Sequence, residues 1–204
     1  MVTSSTAVSS GLLVDRLWQA GGHRLLRNAI LMIAGSLLLT ASAKFQVPFY
    51  PVPMTLQTLA VLIIGATFGW RLGMATVIFY LAQGFMGLPV FASPTLAGPA
   101  YFMGPTAGFL VGFIASAGIV GLAVEKGAAR SLPLLTGAML LAQCVVFALG
   151  FVWLANFATL ASGAVGLGAT KTFAFAIQPY LLGDLLKTAI AVALVLVLAK
   201  KTEA

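Results

Sequence analysis

The chain has 204 residues, of which 61% are hydrophobic and only 7% are charged, and its formal net charge is +7. Soluble domains carry about a quarter of their residues as charged side chains, so this composition excludes a soluble domain and predicts an integral membrane protein. The apolar runs are continuous rather than alternating, which favours membrane-spanning helices over a barrel. The basic residues stand at the ends of these runs and form no patch interleaved with aromatic residues, which argues against nucleic acid as a partner.

Residues 1–24 are Ser-rich and contain no apolar core of signal-peptide length, so we expect a cytosolic tail or an interfacial helix. The rest of the chain, 25–201, contains six apolar segments of about the length needed to cross the hydrocarbon layer. The sequence therefore predicts an all-α membrane protein with six transmembrane helices and a cytosolic tail at 202–204. The predicted spans are 25–43, 55–70, 72–88, 104–124, 132–157 and 173–199.

The basic residues predict the orientation of this bundle. Eight of them fall on one side of the predicted membrane, namely Arg16, Arg24, Arg27, Arg71, Lys126, Arg130, Lys200 and Lys201. Only Lys44 and Lys171 fall at the ends of spans on the other side. Because cytoplasmic loops carry the excess of Lys and Arg, we expect both termini to be cytoplasmic.

Asp184 and Lys187 stand three residues apart in the otherwise apolar run 179–199. A charged side chain at the bilayer centre costs about 2.5–3.5 kcal/mol, so intramembrane charges are usually functional. Residues at this spacing share one face of a helix and can neutralise each other. Lys187 would lie about 20 Å above Lys200, nearer the outer surface. The pair predicts an outward-facing substrate site; the alternative is a pair that only satisfies itself within the bundle.

Two connecting segments, 44–54 and 89–103, are rich in proline and aromatic residues. A free aqueous loop would be more polar, so we expect both to fold over the outer end of the bundle as an apolar lid. The candidate walls of the site are Phe91, Tyr101 and Phe102. The alternative is that these loops are packed for structure alone.

Amide side chains within the spans could bind a neutral heterocycle, because each has donors and an acceptor. Gln57 and Asn156 stand at predicted external ends, Gln83 lies deeper in the third span, and Gln143 belongs to the fifth. Interhelical bridging is an equally common use of a buried amide.

The sequence offers no nucleophile with a base, no metal cluster and no acid dyad, so we expect no enzymatic activity, no catalytic residue, no metal and no cofactor. His23 is the only histidine, and it precedes the first span. The stretch 163–172 is similar to a phosphate-binding loop but has Thr170 where a glycine should precede Lys171. We therefore expect any pumping to depend on a partner or an ion gradient.

Four motifs together resemble one family over nearly all of the chain beyond the N-terminal tail. They are VPMTLQTLAVLIIG at 52–65, GLPVF at 87–91, GPTAGFLVGF at 104–113 and GDLLKT at 183–188. The combination is similar to BioY, the biotin-specific substrate-binding (S) component of energy-coupling factor vitamin transporters. The resemblance implies a six-helix S component of the bacterial plasma membrane that binds biotin near the outer surface under its external loops.

The same resemblance implies residue roles and partners. Asp184 and Lys187 match the acid and the lysine of the family's last helix, and Thr55 and Gln57 match its Thr-Leu-Gln segment. Asp184 could accept from the ureido N–H groups of biotin, and Lys187 could meet the ureido oxygen or the carboxylate. The implied partners are membrane lipid, a transmembrane coupling subunit and two ABC-type ATPases.

Two other functions stay open at this point. A stand-alone secondary transporter of a small organic solute would use Asp184 to carry a proton, and a structural membrane subunit would have no pocket. Nanomolar capture of biotin corresponds to about −12 kcal/mol, which a ligand of this size reaches only in an enclosed, preorganised pocket.

Overall fold

The computed structural model describes residues 24–93 and 97–201. The predicted N-terminal segment, apart from Arg24, and the tail at 202–204 lie outside the described residues. The α-helices are α1 (Arg24–Lys44), α2 (Gln57–Phe85), α3 (Ala107–Glu125), α4 (Leu132–Asn156), α5 (Ala169–Ala176) and α6 (Leu181–Lys201). Short 3-10 helices occupy Pro99–Met103, Ala128–Arg130 and Gln178–Tyr180.

Five stretches of the described chain are long and apolar enough to cross a membrane. They are α1, α2, α3, α4 and Ala169–Lys201, which joins α5 to α6. A mostly helical chain with several helices of membrane-spanning length is thus confirmed, but the predicted count of six helices is not. The difference arises because the predicted second and third spans, 55–70 and 72–88, form the single element α2.

α2 bends sharply at Gly69, whose φ of 78° and ψ of 176° are not helical. Beyond the bend the two arms of α2 lie side by side. Gln57 Nε2 donates to Tyr80 Oη at 2.9 Å, whereas residues so far apart in a straight helix would be separated by about 35 Å. Gly65 and Gly73 permit the close approach, since a Cβ added to Gly73 would lie 3.3 Å from Gly65 Cα.

The predicted last span, 173–199, is also interrupted. α5 ends at Ala176, a 3-10 turn follows at Gln178–Tyr180, and α6 begins at Leu181. Pro179 has no backbone N–H to donate within a longer helix, which explains a break at this point. As a result Asp184 falls in the first turn of α6, where the helix dipole favours a negative charge.

The predicted loop 44–54 contains a small antiparallel hairpin that sequence reasoning did not anticipate. Strand β1 (Gln46–Val47) pairs with β2 (Met54–Thr55), with Gln46 opposite Thr55 and Val47 opposite Met54. The hairpin lies against the end of α1. Leu56, which directly follows β2, donates its backbone N–H to the carbonyl oxygen of Ser42 at 3.3 Å. It fixes Met54 and Thr55 at the start of α2.

The two ends of the bundle differ in charge. At one end, which we call the bend end, Trp70 N donates to Glu125 Oε1 at 3.2 Å, and α6 contacts the turn Ala128–Arg130. The opposite end, the hairpin end, carries the β-hairpin and the turn Pro99–Met103. The basic residues at the bend end are Arg24, Arg27, Arg71, Lys126, Arg130, Lys200 and Lys201, and those near the hairpin end are Lys44 and Lys171.

α3 and α4 pack against each other in antiparallel register through glycines of α3. A Cβ added to Gly108 would lie 2.5 Å from Leu149 O, and one added to Gly112 would lie 2.8 Å from Val146 Cα. Small residues allow such close approach in lipid, where the hydrophobic effect does not drive helices together. Successive turns of α3 therefore lie opposite successive turns of α4, with Gly108 beside Leu149 and Gly112 beside Val146.

Replacing Gly69 with alanine should destabilise the fold by about 1–3 kcal/mol, because its φ/ψ combination is essentially restricted to glycine. The apparent unfolding temperature of the detergent-purified chain measures the effect. Gly137→Ala is the matched control, since an added Cβ there meets no atom within 4 Å, and should leave that temperature unchanged or raise it. Equal responses of the two variants would contradict the role of the bend.

Candidate ligand-binding site

A cavity lies at the hairpin end of the bundle, between the β-hairpin, the turn Pro99–Met103 and helices α2, α3, α4 and α6. Its space free of atoms is about 560 Å³ when the open mouth is included. The polar side chains at its wall belong to Thr55, Gln57, Thr58, Thr106, Asp184 and Lys187. The rest of the lining is mainly apolar and includes Val52, Met54, Tyr101, Phe109, Leu110, Phe113, Val146, Phe147 and Tyr180.

Asp184 and Lys187 form an ion pair at the wall of this cavity. Both residues are buried, with 5% and 6% of their surface exposed. Lys187 Nζ contacts Asp184 Oδ1 and also donates to the carbonyl oxygen of Thr55 at 3.0 Å. Thr58 Oγ1 donates to the same carboxylate oxygen at 2.9 Å.

This arrangement leaves hydrogen-bonding capacity for a ligand. A carboxylate has about four acceptor sites on two oxygens, and both contacts described for Asp184 use Oδ1. An ammonium group has three donors, of which the contacts of Lys187 with Asp184 and Thr55 use two. The pair therefore offers a ligand one acceptor group and one donor group side by side.

Thr55 and Gln57 connect the charge pair to the loop 89–103. The backbone N–H of Gln57 donates to Thr55 Oγ1 at 3.3 Å, and Gln57 Nε2 donates to Tyr80 Oη at 2.9 Å. Tyr80 Oη in turn donates to the carbonyl oxygen of Val90 at 3.1 Å. Gln57 is thus held by interhelical hydrogen bonds and also lines the cavity.

Of the three predicted aromatic walls, only Tyr101 lines the cavity. Phe91 stacks behind it with ring centroids 4.3 Å apart, and Phe102 meets the Phe91 ring edge-on at 5.6 Å. Phe91 is 1% exposed and forms part of the apolar core. Burial raises the pKa of the Tyr101 phenol above its ordinary value of 10.0, so this wall residue is neutral at physiological pH.

The predicted loops 44–54 and 89–103 meet over the hairpin end of the bundle. Lys44 Nζ, at the end of α1, donates to the carbonyl oxygen of Phe91 at 2.6 Å. Gln46 Nε2, on β1, donates to the carbonyl oxygen of Ala92 at 3.2 Å. These bonds tie the hairpin to the second loop, both of which contribute lining residues. Pro94, Thr95 and Leu96 of that loop lie outside the described residues.

Two further predicted site residues, Gln83 and Asn156, do not line the cavity either. Gln83 accepts a hydrogen bond from the Ser36 hydroxyl and so bridges α2 and α1. Asn156 is exposed at the end of α4, and its Nδ2 donates to the carbonyl oxygen of Val152 at 2.9 Å. For Gln83 the alternative use, interhelical bridging, is the one that the structure contains.

Sequence reasoning missed several lining residues. Thr58 directly follows the predicted site residue Gln57, and Tyr180 stands four residues before Asp184. Tyr180 Oη donates to the carbonyl oxygen of Val52 and closes the cavity beside the hairpin. The ring pair Phe109 and Phe113 has the spacing of any core face, which gave no signal of a site.

The cavity suits a small ligand with an apolar body and a few polar groups, because it combines aromatic walls with one localised cluster of donors and acceptors. Among the described residues, no group of three His, Cys, Asp or Glu side chains could hold a metal ion.

A family model described as the BioY family matches residues 9–204. The chain belongs to the BioY family. This confirms the family predicted from the sequence motifs, which is one of transporters and not of enzymes.

Relatives and a solved structure agree with this assignment. A protein named biotin transporter BioY from Thermotoga maritima is 34% identical over 166 residues, covering 81% of this chain and 91% of the relative. A probable biotin transporter BioY from Pyrococcus horikoshii is 33% identical over 155 residues, covering 76% and 85%. The crystal structure of the S-component for biotin from an ECF-type ABC transporter has the same fold, with a TM-score of 0.71, 21% identity and coverage of 89% of this chain and 95% of that one.

Removing one member of the buried pair should destabilise the ligand-free chain more than removing both. Asp184→Asn leaves an uncompensated buried ammonium group, at a cost of about 3–5 kcal/mol, and Lys187→Met leaves a carboxylate. The double variant removes both charges and should recover part of that loss. Unfolding midpoints in detergent measure the coupling between the two charges. Lys171→Met, at an exposed lysine, is the control. If the effects of the two single variants simply add in the double variant, the charges do not stabilise each other.

Proposed function

We propose that this chain is the biotin-binding S component of a vitamin transporter and mediates high-affinity uptake of biotin across the bacterial plasma membrane. The observation that carries the proposal is the Asp184–Lys187 pair, which lines an apolar cavity at one end of the bundle in a member of the BioY family. Curated relatives named as biotin transporters support the choice of ligand.

The chemistry of biotin fits the two kinds of lining. Its ureido ring has two N–H donors and one acceptor, its tetrahydrothiophene ring is apolar, and its flexible tail ends in a carboxylate. Asp184 can accept from a ligand N–H, and Lys187 can donate to an oxygen of the ligand. The rings of Tyr101, Phe109 and Phe113 provide apolar contact for the ring system. The proposed substrate-binding residues are therefore Asp184, Lys187, Thr55, Gln57, Thr58 and Tyr101.

We infer six membrane crossings, with the two arms of α2 each providing one. The support is the bend at Gly69 and the Gln57–Tyr80 hydrogen bond between the arms. The basic residues at the bend end favour a cytoplasmic location for that end and for both termini. The hairpin end and its cavity then open toward the outside, as capture of a scarce nutrient requires.

The proposed partners are a transmembrane coupling subunit and two ABC-type ATPases. The solved structure with the same fold is described as a component of an ECF-type ABC transporter, and the sequence lacks a complete phosphate-binding loop at 163–172. Hydrolysis of ATP by the partner subunits would then drive release of biotin to the cytoplasm.

Asp184→Asn and Lys187→Ala should each weaken biotin binding by at least about 1.5 kcal/mol, or more than about ten-fold, because each removes a charge-assisted hydrogen bond. Equilibrium binding to the detergent-purified chain measures the effect, with thiamin and riboflavin as competitors to test specificity. The exposed Lys171→Ala is the matched control and should bind as the unaltered chain does. Unchanged affinity in both site variants would refute the assignment.

Single cysteines should report the proposed orientation in whole cells. In a Cys144→Ala background, which removes the exposed native thiol, Ser162→Cys in the loop between α4 and α5 should react with a membrane-impermeant maleimide. Lys126→Cys after α3 should react only after the cells are permeabilised. The reverse pattern would place the cavity on the cytoplasmic side and contradict capture from outside.

A further inference from the structure

Tyr80 lies in the second arm of α2, where it is 0% exposed and is not part of the cavity lining. Its hydroxyl group accepts a hydrogen bond from Gln57 Nε2 at 2.9 Å and donates one to the carbonyl oxygen of Val90 at 3.1 Å. Gln57 belongs to the first arm of α2 and lines the cavity. One buried hydroxyl group therefore joins a polar residue of the cavity wall to the start of the loop 89–103.

The ring of Tyr80 supports the aromatic wall of the cavity. It meets the Phe91 ring edge-on, with centroids 5.5 Å apart and an angle of 86° between the planes. Phe91 in turn stacks on Tyr101 at 4.3 Å, and Tyr101 lines the cavity. Edge-on and stacked pairs are favourable arrangements of aromatic rings, so the three rings hold one another in a defined geometry. The position of Tyr101 therefore depends on that of Tyr80.

Gly84 stands four residues after Tyr80 in the same helix and provides the space that Phe91 occupies. A Cβ added to Gly84 would overlap the Phe91 ring. The carbonyl oxygen of Gly84 also accepts a hydrogen bond from Gly98 N at 2.9 Å. The second arm of α2 thus holds the loop that contains Phe91 near both of its ends, through the Tyr80 hydroxyl group and through the Gly84 carbonyl group.

We propose that Tyr80 is a positioning residue for ligand binding, which sets the Gln57 amide through its hydroxyl group and Tyr101 through its ring. The proposal rests on the proposed binding of biotin and adds to it a residue that does not touch the ligand. Gln57 and Tyr101 belong to separate segments of the chain, and Tyr80 is the support that they share. Tight binding of a small ligand requires a preorganised cavity, and Tyr80 preorganises this one by fixing both walls.

The test measures equilibrium binding of biotin to the detergent-purified full chain and its variants. Tyr80→Phe keeps the ring against Phe91 and removes only the hydroxyl group, so the fold should be retained. This variant should bind biotin about five- to ten-fold more weakly than the unaltered chain, which is the effect of one neutral hydrogen bond. Gly84→Ala displaces Phe91, and with it Tyr101, and should also weaken biotin binding, although it removes no hydrogen-bonding side chain.

A double-variant comparison shows whether Tyr80 acts on the ligand through Gln57. Gln57→Leu removes the amide that the Tyr80 hydroxyl group holds. In a chain that already carries Gln57→Leu, Tyr80→Phe should lower the affinity for biotin by no more than about two-fold, because the side chain that it positions is absent. A hydroxyl group that only stabilises the fold would instead change the affinity by the same factor in both chains.

Thr76→Val is the matched control, because it removes another buried hydroxyl group from the same arm of α2. Thr76 is 0% exposed, and its Oγ1 donates to the carbonyl oxygen of Leu72 at 2.7 Å. This variant should bind biotin as the unaltered chain does, whatever its unfolding temperature. Unchanged biotin affinity in Tyr80→Phe or in Gly84→Ala would overturn the positioning role.

An equal loss of affinity in Thr76→Val, or the same effect of Tyr80→Phe with and without the Gln57 amide, would also overturn the positioning role. Absence of biotin binding by the unaltered chain would instead refute the proposed function.

Discussion

The charges of Asp184 and Lys187 can lie inside an apolar bundle only because each has a partner at hydrogen-bonding distance. The carboxylate meets Lys187 and Thr58, and the ammonium group meets Asp184 and the Thr55 carbonyl. The two charges pair with each other within α6, and their further partners, Thr58 and the Thr55 carbonyl, come from α2 and β2. The full set of partners is therefore complete only when all three elements are assembled. The bend at Gly69, the short hairpin and the break before α6 are the local features that bring those elements together at one end.

The need to hold these partners in place also relates the loops 44–54 and 89–103 to the site. The loop that contains Thr55 is held in a hairpin, and Lys44 and Gln46 at its start bond to carbonyl oxygens of the second loop. Tyr101 reaches the cavity because Phe91 and Phe102 pack behind it. In the loop 89–103 one aromatic side chain, Tyr101, therefore faces the cavity, and Phe91 and Phe102 hold it in place from behind. A change in Phe91 would act on binding through Tyr101 and not by direct contact.

The family could be predicted from the sequence, and the charge pair could be singled out because a buried charge is costly without a function. The charge pair in 179–199 and the proline-rich loops indicated one end of the bundle as the site, and the motifs at 52–65 and 183–188 indicated the family. The sequence could not distinguish a ligand contact from a structural contact where the same residue type serves both. The amide of Gln83 looks the same in sequence whether it faces a ligand or Ser36, and Asn156 could be placed at a helix end but not on a face.

The helix count and the floor of the site show why the rest could not be predicted. Hydropathy separates the two arms of α2 but does not reveal that Gly69 bends the chain without a loop, so that the element is continuous. Phe109, Phe113 and Phe147 have the spacing of any packed apolar face, and only the antiparallel register of α3 and α4 shows which turns lie under the cavity. Side-chain direction within a helix pair depends on that register, which a single sequence does not specify.

A crystal structure of the full chain with biotin bound would show whether Asp184 and Lys187 bind the ligand. We expect density for biotin in the cavity at the hairpin end, with polar atoms of the ligand within hydrogen-bonding distance of both Asp184 and Lys187 and with Tyr101 against the ring system. Biotin bound elsewhere, or an Asp184–Lys187 pair still closed on itself and out of contact with the ligand, would contradict it.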